Sequence, residues 1–266
     1  MSQLAPVPAA RLAAWCTVGL VVLGPLSLVV IPGLTTVPGD LAATAQLMAD
    51  NPLLARSGLL GELGIVFIEL FMSVALYAFF RPLHRDAALL IGGTRLAMTV
   101  LQAVAALVGF AVVAVLTTSS PDLAASETLQ ALRTSATLVW QAIFGLHCLI
   151  LGGAVLRFAP VPRVFGALML VAGGAYLAIG LGTLSVPAAG DTLMGVGGLL
   201  ATLGEVPLYV YLLGWAGKVR VGAAAEHVSH LRRGGWRRRW RRRTDGRSRR
   251  RRPAASRRRR RWARTR

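Results

Sequence analysis

Six apolar stretches, set between short polar links, leave this chain essentially one kind of fold. They run Leu12 to Ile31, Leu59 to Phe80, Ala87 to Thr117, about Thr134 to Leu156, Val164 to Leu184 and Leu193 to Gly217. The hydrocarbon layer of a bilayer is about 30 Å thick and takes about 20 helical residues to cross. Lipid offers no partners to backbone N–H and C=O groups, so each stretch must satisfy its own by coiling into a helix. The expectation is an all-α, polytopic membrane helix bundle of six transmembrane helices. A hydrophobic content of 55% and a mean hydropathy of +0.58 agree with it.

Charge divides the chain. Residues 1–220 carry ten Lys and Arg against nine Asp and Glu, whereas residues 221–266 carry twenty against two. Three regions follow: a short N-terminus (1–11), a six-helix membrane domain (12–217) and an Arg-rich tail (218–266). The tail, with blocks such as Arg237-Arg238-Arg239 and Arg257 to Arg261, cannot bury a core and is expected to be disordered. Beside a membrane it would meet anionic lipid headgroups, with Trp236, Trp240 and Trp262 favouring the interface. Incidental arginine-rich sequence without a partner is the second reading, and nucleic acid, whose phosphates arginines neutralise, is the third.

The links carry their own signals. Pro32 is expected to end the first stretch, and Gly39-Asp40 to open a short helix through Asp50 at the membrane surface, with Leu41, Ala45 and Met48 along one side. Ser119-Ser120-Pro121-Asp122 opens a second polar helix to about Arg133, ahead of the fourth stretch. Arg11, Arg81, Arg85, Arg157, Arg163 and the tail fall on one side of the membrane. Arg56 and Arg133 fall on the other, so the excess of basic loops puts both termini in the cytoplasm.

Ionisable groups inside apolar stretches are the candidate site, because a charge at membrane depth is costly and marks function by default. The second stretch holds Glu62 and Glu69, seven residues apart on one face; the third holds Arg95 and Gln102 at the same spacing. Measured from the link Arg81 to Asp86, Glu69 and Arg95 differ in depth by roughly 5 Å, so the two are expected to pair. His147 in the fourth stretch lies near the depth of Arg95. In the sixth, Glu205 lies near mid-membrane beside Val206-Pro207, with Thr202 and Tyr209 at neighbouring helical positions. Three carboxylates then face one arginine, so neutrality requires a carboxyl to hold a proton or a cation to enter.

Signatures of chemistry are absent from the sequence. It has no H-E-x-x-H, G-x-S-x-G or P-loop pattern. Cys16 and Cys148 sit inside apolar stretches as buried free thiols, and four scattered histidines make no metal set. No cofactor, no metal and no enzymatic activity are expected. Gly92-Gly93, Gly152-Gly153, Gly173-Gly174 and Gly197-Gly198 suit close helix packing.

Several stretches carry a family likeness: Ala43-Thr44-Ala45, Leu76-Tyr77 through Arg81-Pro82, Ala87 to Arg95, Phe144-Gly145-Leu146-His147, Pro162-Arg163 through Gly174-Ala175-Tyr176, and Gly204-Glu205. In this order, from about Arg11 to Gly217, the chain resembles the bacterial membrane-protein family called domain of unknown function 4386. The resemblance implies six helices in a bacterial inner membrane and no assigned activity, hence no catalytic residue to carry over. The tail after Lys218 lies outside the family pattern. From the residues themselves, the functional expectation is a polar site formed by Glu62, Glu69, Arg95, Gln102, His147 and Glu205 that serves proton-coupled or small-solute transport. The alternative is a structural or interaction protein in which these charges only fix helix packing, with protein partners unknown.

Overall fold

The computed structural model describes residues 6–37 and 40–215, and within them the chain is helical with no strand beyond a single bridge between Val37 and Asp40. The arginine-rich tail, Gly39 and the first five residues lie outside the described residues. The elements are α1 (Pro6–Pro25), α2 (Ile31–Thr35), α3 (Leu41–Asp50), α4 (Pro52–Phe80), α5 (Arg85–Leu116), α6 (Leu123–Phe158), α7 (Arg163–Leu177), α8 (Thr183–Ser185) and α9 (Gly190–Trp215). Among the described residues, six helical runs are long and apolar enough to cross a membrane.

Two of the six runs are interrupted without being broken. A π-helical turn, Leu26–Val30, joins α1 to α2, and a second, Ala178–Gly182, joins α7 to α8. The first corrects the expectation that Pro32 ends the span: the helix runs on to Thr35. Pro32 has no N–H to donate, and the wide turn just before it absorbs the missing bond.

A second correction concerns α6, which unites the expected polar helix and the fourth span in 36 residues. No Gly or Pro occurs between Leu123 and Phe144, so nothing stops a helix that Asp122 has capped by accepting from the N–H of Ala125 at 3.0 Å. Arg133 therefore lies within one continuous helix instead of at the end of a separate polar one.

The hairpin of α4 and α5 turns at residues 81–84, where the ring of His84 stacks on Phe158 at the end of α6 with centroids 4.4 Å apart. The Arg81–His84 and Ala159–Pro162 links thus share one end of the bundle, called here the hairpin end. At the far end α3 is capped by Asp40, whose carboxylate accepts from the Ala43 N–H at 2.9 Å. Its Ala45 and Met48 pack with Ala55 and Leu59 of α4 and Val112, Val113 and Leu116 of α5. The apolar side of α3 is thus turned onto the protein rather than left for lipid.

Spans pack closely along a glycine ladder. A Cβ on Gly145 would lie 2.8 Å from the carbonyl oxygen of Gly173, and one on Gly152 would lie 2.7 Å from that of Gly166. Gly204 of α9 makes a similar approach to the Leu168 carbonyl of α7 at 2.5 Å. Of each glycine pair singled out in the sequence, only the first member meets a neighbouring helix; Gly93, Gly153, Gly174 and Gly198 face open space.

Candidate functional site

Arg95 is the centre of the site and has no exposed surface. Its Nε donates to Glu69 Oε2 at 2.7 Å and its Nη2 to Glu69 Oε1 at 3.0 Å, the two-pronged geometry in which arginine binds a carboxylate best. Nη1 reaches two further helices. It donates to the hydroxyl of Tyr209 on α9 at 3.2 Å and to His147 Nε2 on α6 at 3.3 Å. The guanidinium carbon lies 5.7 Å from the centre of the Phe144 ring, within cation–π range.

This geometry fixes the histidine tautomer. A guanidinium has no acceptor, so His147 Nε2 must accept and the proton of the neutral ring must sit on Nδ1. From there it donates to Thr94 Oγ1 at 3.1 Å, and the threonine hydroxyl donates to the Leu90 carbonyl at 2.7 Å. Four helices, α4, α5, α6 and α9, therefore meet at one guanidinium with four of its five N–H groups engaged.

Glu205 stands apart from this junction. It is partly exposed, and it accepts from the Tyr176 hydroxyl of α7 at 3.3 Å instead of from an arginine. Two residues along, Pro207 removes the backbone bond to the Leu203 carbonyl. Tyr176 also touches Phe144, with centroids 4.7 Å apart, and Phe144 lies against the Arg95 guanidinium, so aromatic rings link the acid to the ion pair.

Glu62 does not join the central cluster. It is 2% exposed and pairs with Arg133 of α6, whose side chain is about a third exposed. The guanidinium of Arg133 lies against Gly109, where a Cβ would meet its Cζ at 3.2 Å. Gln102 is buried on the Arg95 face of α5, seven residues and about 10 Å further from the hairpin end. The six candidates thus divide: Glu69, Arg95 and His147 converge, Glu205 flanks them through Tyr176, and Glu62 and Gln102 belong to a layer nearer the far end.

Three contributors escaped sequence reasoning as members of the site. Tyr209 had been placed beside Glu205 by helical spacing, but its hydroxyl serves Arg95. Tyr176 and Thr94 gave no signal beyond being polar groups in apolar runs. Below the junction, toward the hairpin end, Leu76, Phe80, Leu151, Val155 and Leu208 line a small wholly apolar pocket.

Six bilayer-length helical runs around a buried arginine that four of them share define a multi-pass membrane protein of the helix-bundle class. Residues 12–214 match the family model described as domain of unknown function (DUF4386), and the chain belongs to that family. No curated protein and no solved structure matches it.

Proposed function

We propose that this membrane protein moves protons, alone or with a small solute, and that Glu205 is the group that carries them. One observation supports this reading most: Glu62 and Glu69 each have an arginine, whereas Glu205, near mid-span, has a tyrosine hydroxyl. A carboxyl so placed is neutral only with a proton bound, and taking up or releasing that proton changes the charge of the bundle. The junction at Arg95 then serves as the fixed frame. Its four-helix hydrogen bonding favours the packing role for those residues, which is the second reading for the protein as a whole. In either case the protein acts without enzymatic chemistry and without a cofactor.

The excess of basic residues in the links at the hairpin end argues for that end, and both termini, lying in the cytoplasm of a bacterial inner membrane. The Arg-rich tail, by composition, would then adhere to anionic lipid headgroups.

Reconstituted vesicles carrying a pH dye test the reading. Wild type is expected to relax an imposed pH difference, Glu205→Gln to lose that flux while still eluting as folded protein, and Gln102→Leu to retain it. Equal flux in wild type and Glu205→Gln would sink the proposal.

A further inference from the structure

Three buried polar atoms among the described residues have no hydrogen-bond partner: Trp140 Nε1, Gln141 Oε1 and Thr183 Oγ1. They are not scattered. Thr183 lies at the far end of the bundle, with its Cγ2 3.0 Å from where a Cβ of Gly190 would stand. Gln141 is 7% exposed and comes within 4.0 Å of Met194 Sδ, one turn into α9. Trp140 stands edge-on to Tyr176 with centroids 6.5 Å apart, and Tyr176 bonds Glu205. Thr183 and Tyr176 lie on either side of the π-helical turn Ala178–Gly182, whose Gly180 packs on Leu138 and Ala142 of α6, the level of Trp140 and Gln141. Thr183, Gln141 with Trp140, Tyr176 and Glu205 therefore descend in order from the far end to mid-span, between α6, α7 and α9.

The chemistry of the three orphans is complementary. The indole offers a donor, the amide oxygen an acceptor and the hydroxyl both. Buried polar atoms of this kind are satisfied by ordered water, which makes about three hydrogen bonds in such sites. Toward the hairpin end, among the described residues, no buried polar atom lacks a partner, and the pocket there is lined by apolar side chains alone. We infer that Thr183, Gln141 and Trp140 hold a file of water molecules that connects the far end of the bundle to Tyr176 and Glu205. The ligand is water or a hydrated proton, and access is one-sided. The inference rests on the proposed role of Glu205 for its purpose but not for its test.

X-ray radiolytic footprinting of the full chain in lipid vesicles reads the water directly, because hydroxyl radicals form where water is held and oxidise adjacent side chains. Trp140 is the reporter; Met72, Met98 and Met169, all wholly buried, are the dry controls. The expected result is oxidation of Trp140 at least about tenfold faster than those methionines, falling severalfold in a Gln141→Leu/Thr183→Val variant, which withdraws the water's partners. Oxidation of Trp140 no faster than the controls in wild type overturns the inference, as does a rate unchanged in a folded double variant. Flux separates the two proposals. A wet Trp140 with flux indifferent to Glu205→Gln leaves the water file standing and removes the proton-carrying role. A dry Trp140 with flux lost in Glu205→Gln does the reverse.

Discussion

Replacing Arg95 by leucine removes the cation from a wholly buried ion pair and strands the Glu69 carboxylate among apolar side chains. Breaking one partner of a buried pair costs about 3–5 kcal/mol. The bonds to His147 and Tyr209 are neutral acceptors within a membrane domain, where each is worth about 0.6 kcal/mol. Together these give a loss of roughly 4–6 kcal/mol, or about a thousandfold or more in the unfolding constant at 1.4 kcal/mol per tenfold. The charge dominates, and a second substitution separates it from the rest. In Glu69→Leu/Arg95→Leu no charge is stranded, leaving the two neutral bonds and imperfect packing, so the double variant should lie about 3 kcal/mol above the Arg95→Leu single. Equilibrium unfolding in mixed micelles, followed by helix content, measures all three. A single-variant loss under about 1 kcal/mol, or a double variant no more stable than Arg95→Leu, would refute the assignment of this pair as the principal frame of the bundle.

The outer pair should behave similarly on a smaller scale: Arg133→Ala destabilises less than Arg95→Leu because its guanidinium is already partly in contact with solvent, and adding Glu62→Gln restores most of the loss in the same unfolding measurement. The glycine ladder gives a matched pair. Gly173→Ala, whose new methyl meets the Gly145 carbonyl at 2.8 Å, should cost about 1–3 kcal/mol by overpacking, whereas Gly174→Ala, facing open space, should be neutral or slightly stabilising.

What the sequence made legible depended on how few unknowns separated two residues. Glu69 and Arg95 could be paired because a short link fixes the two helices side by side, and only the rise per residue is then needed to set their depths. Tyr209 could not be assigned to Arg95 in the same way: α5 and α9 are distant in the chain, and which way their faces turn depends on tilts set by the glycine contacts between α6, α7 and α9. The glycine doublets themselves conceal the answer, since adjacent residues point about 100° apart and only one can meet a neighbour. Its signal lay in the seven-residue spacing of Gly166, Gly173 and Gly180, matched by Gly145 and Gly152 on α6. Arg133 was misplaced for a different reason, because its polar neighbours suggested a separate polar helix although no breaker separates them from the span.

That last correction changes the electrostatic problem. With Arg133 outside the bundle, three interior carboxylates would share one arginine, and any of them could be the group left without a cation. With Arg133 bound to Glu62 and Arg95 bound to Glu69, two of the three are matched. The remaining question of neutrality falls on Glu205 alone. It lies at the one point where a proline frees a backbone carbonyl, a tyrosine hydroxyl is the hydrogen-bond partner, and unpartnered polar atoms lead toward one end of the bundle only. A packing residue would need none of these, whereas a group that must gain and lose a proton needs a neutral partner, room to respond and a wet side from which the proton arrives.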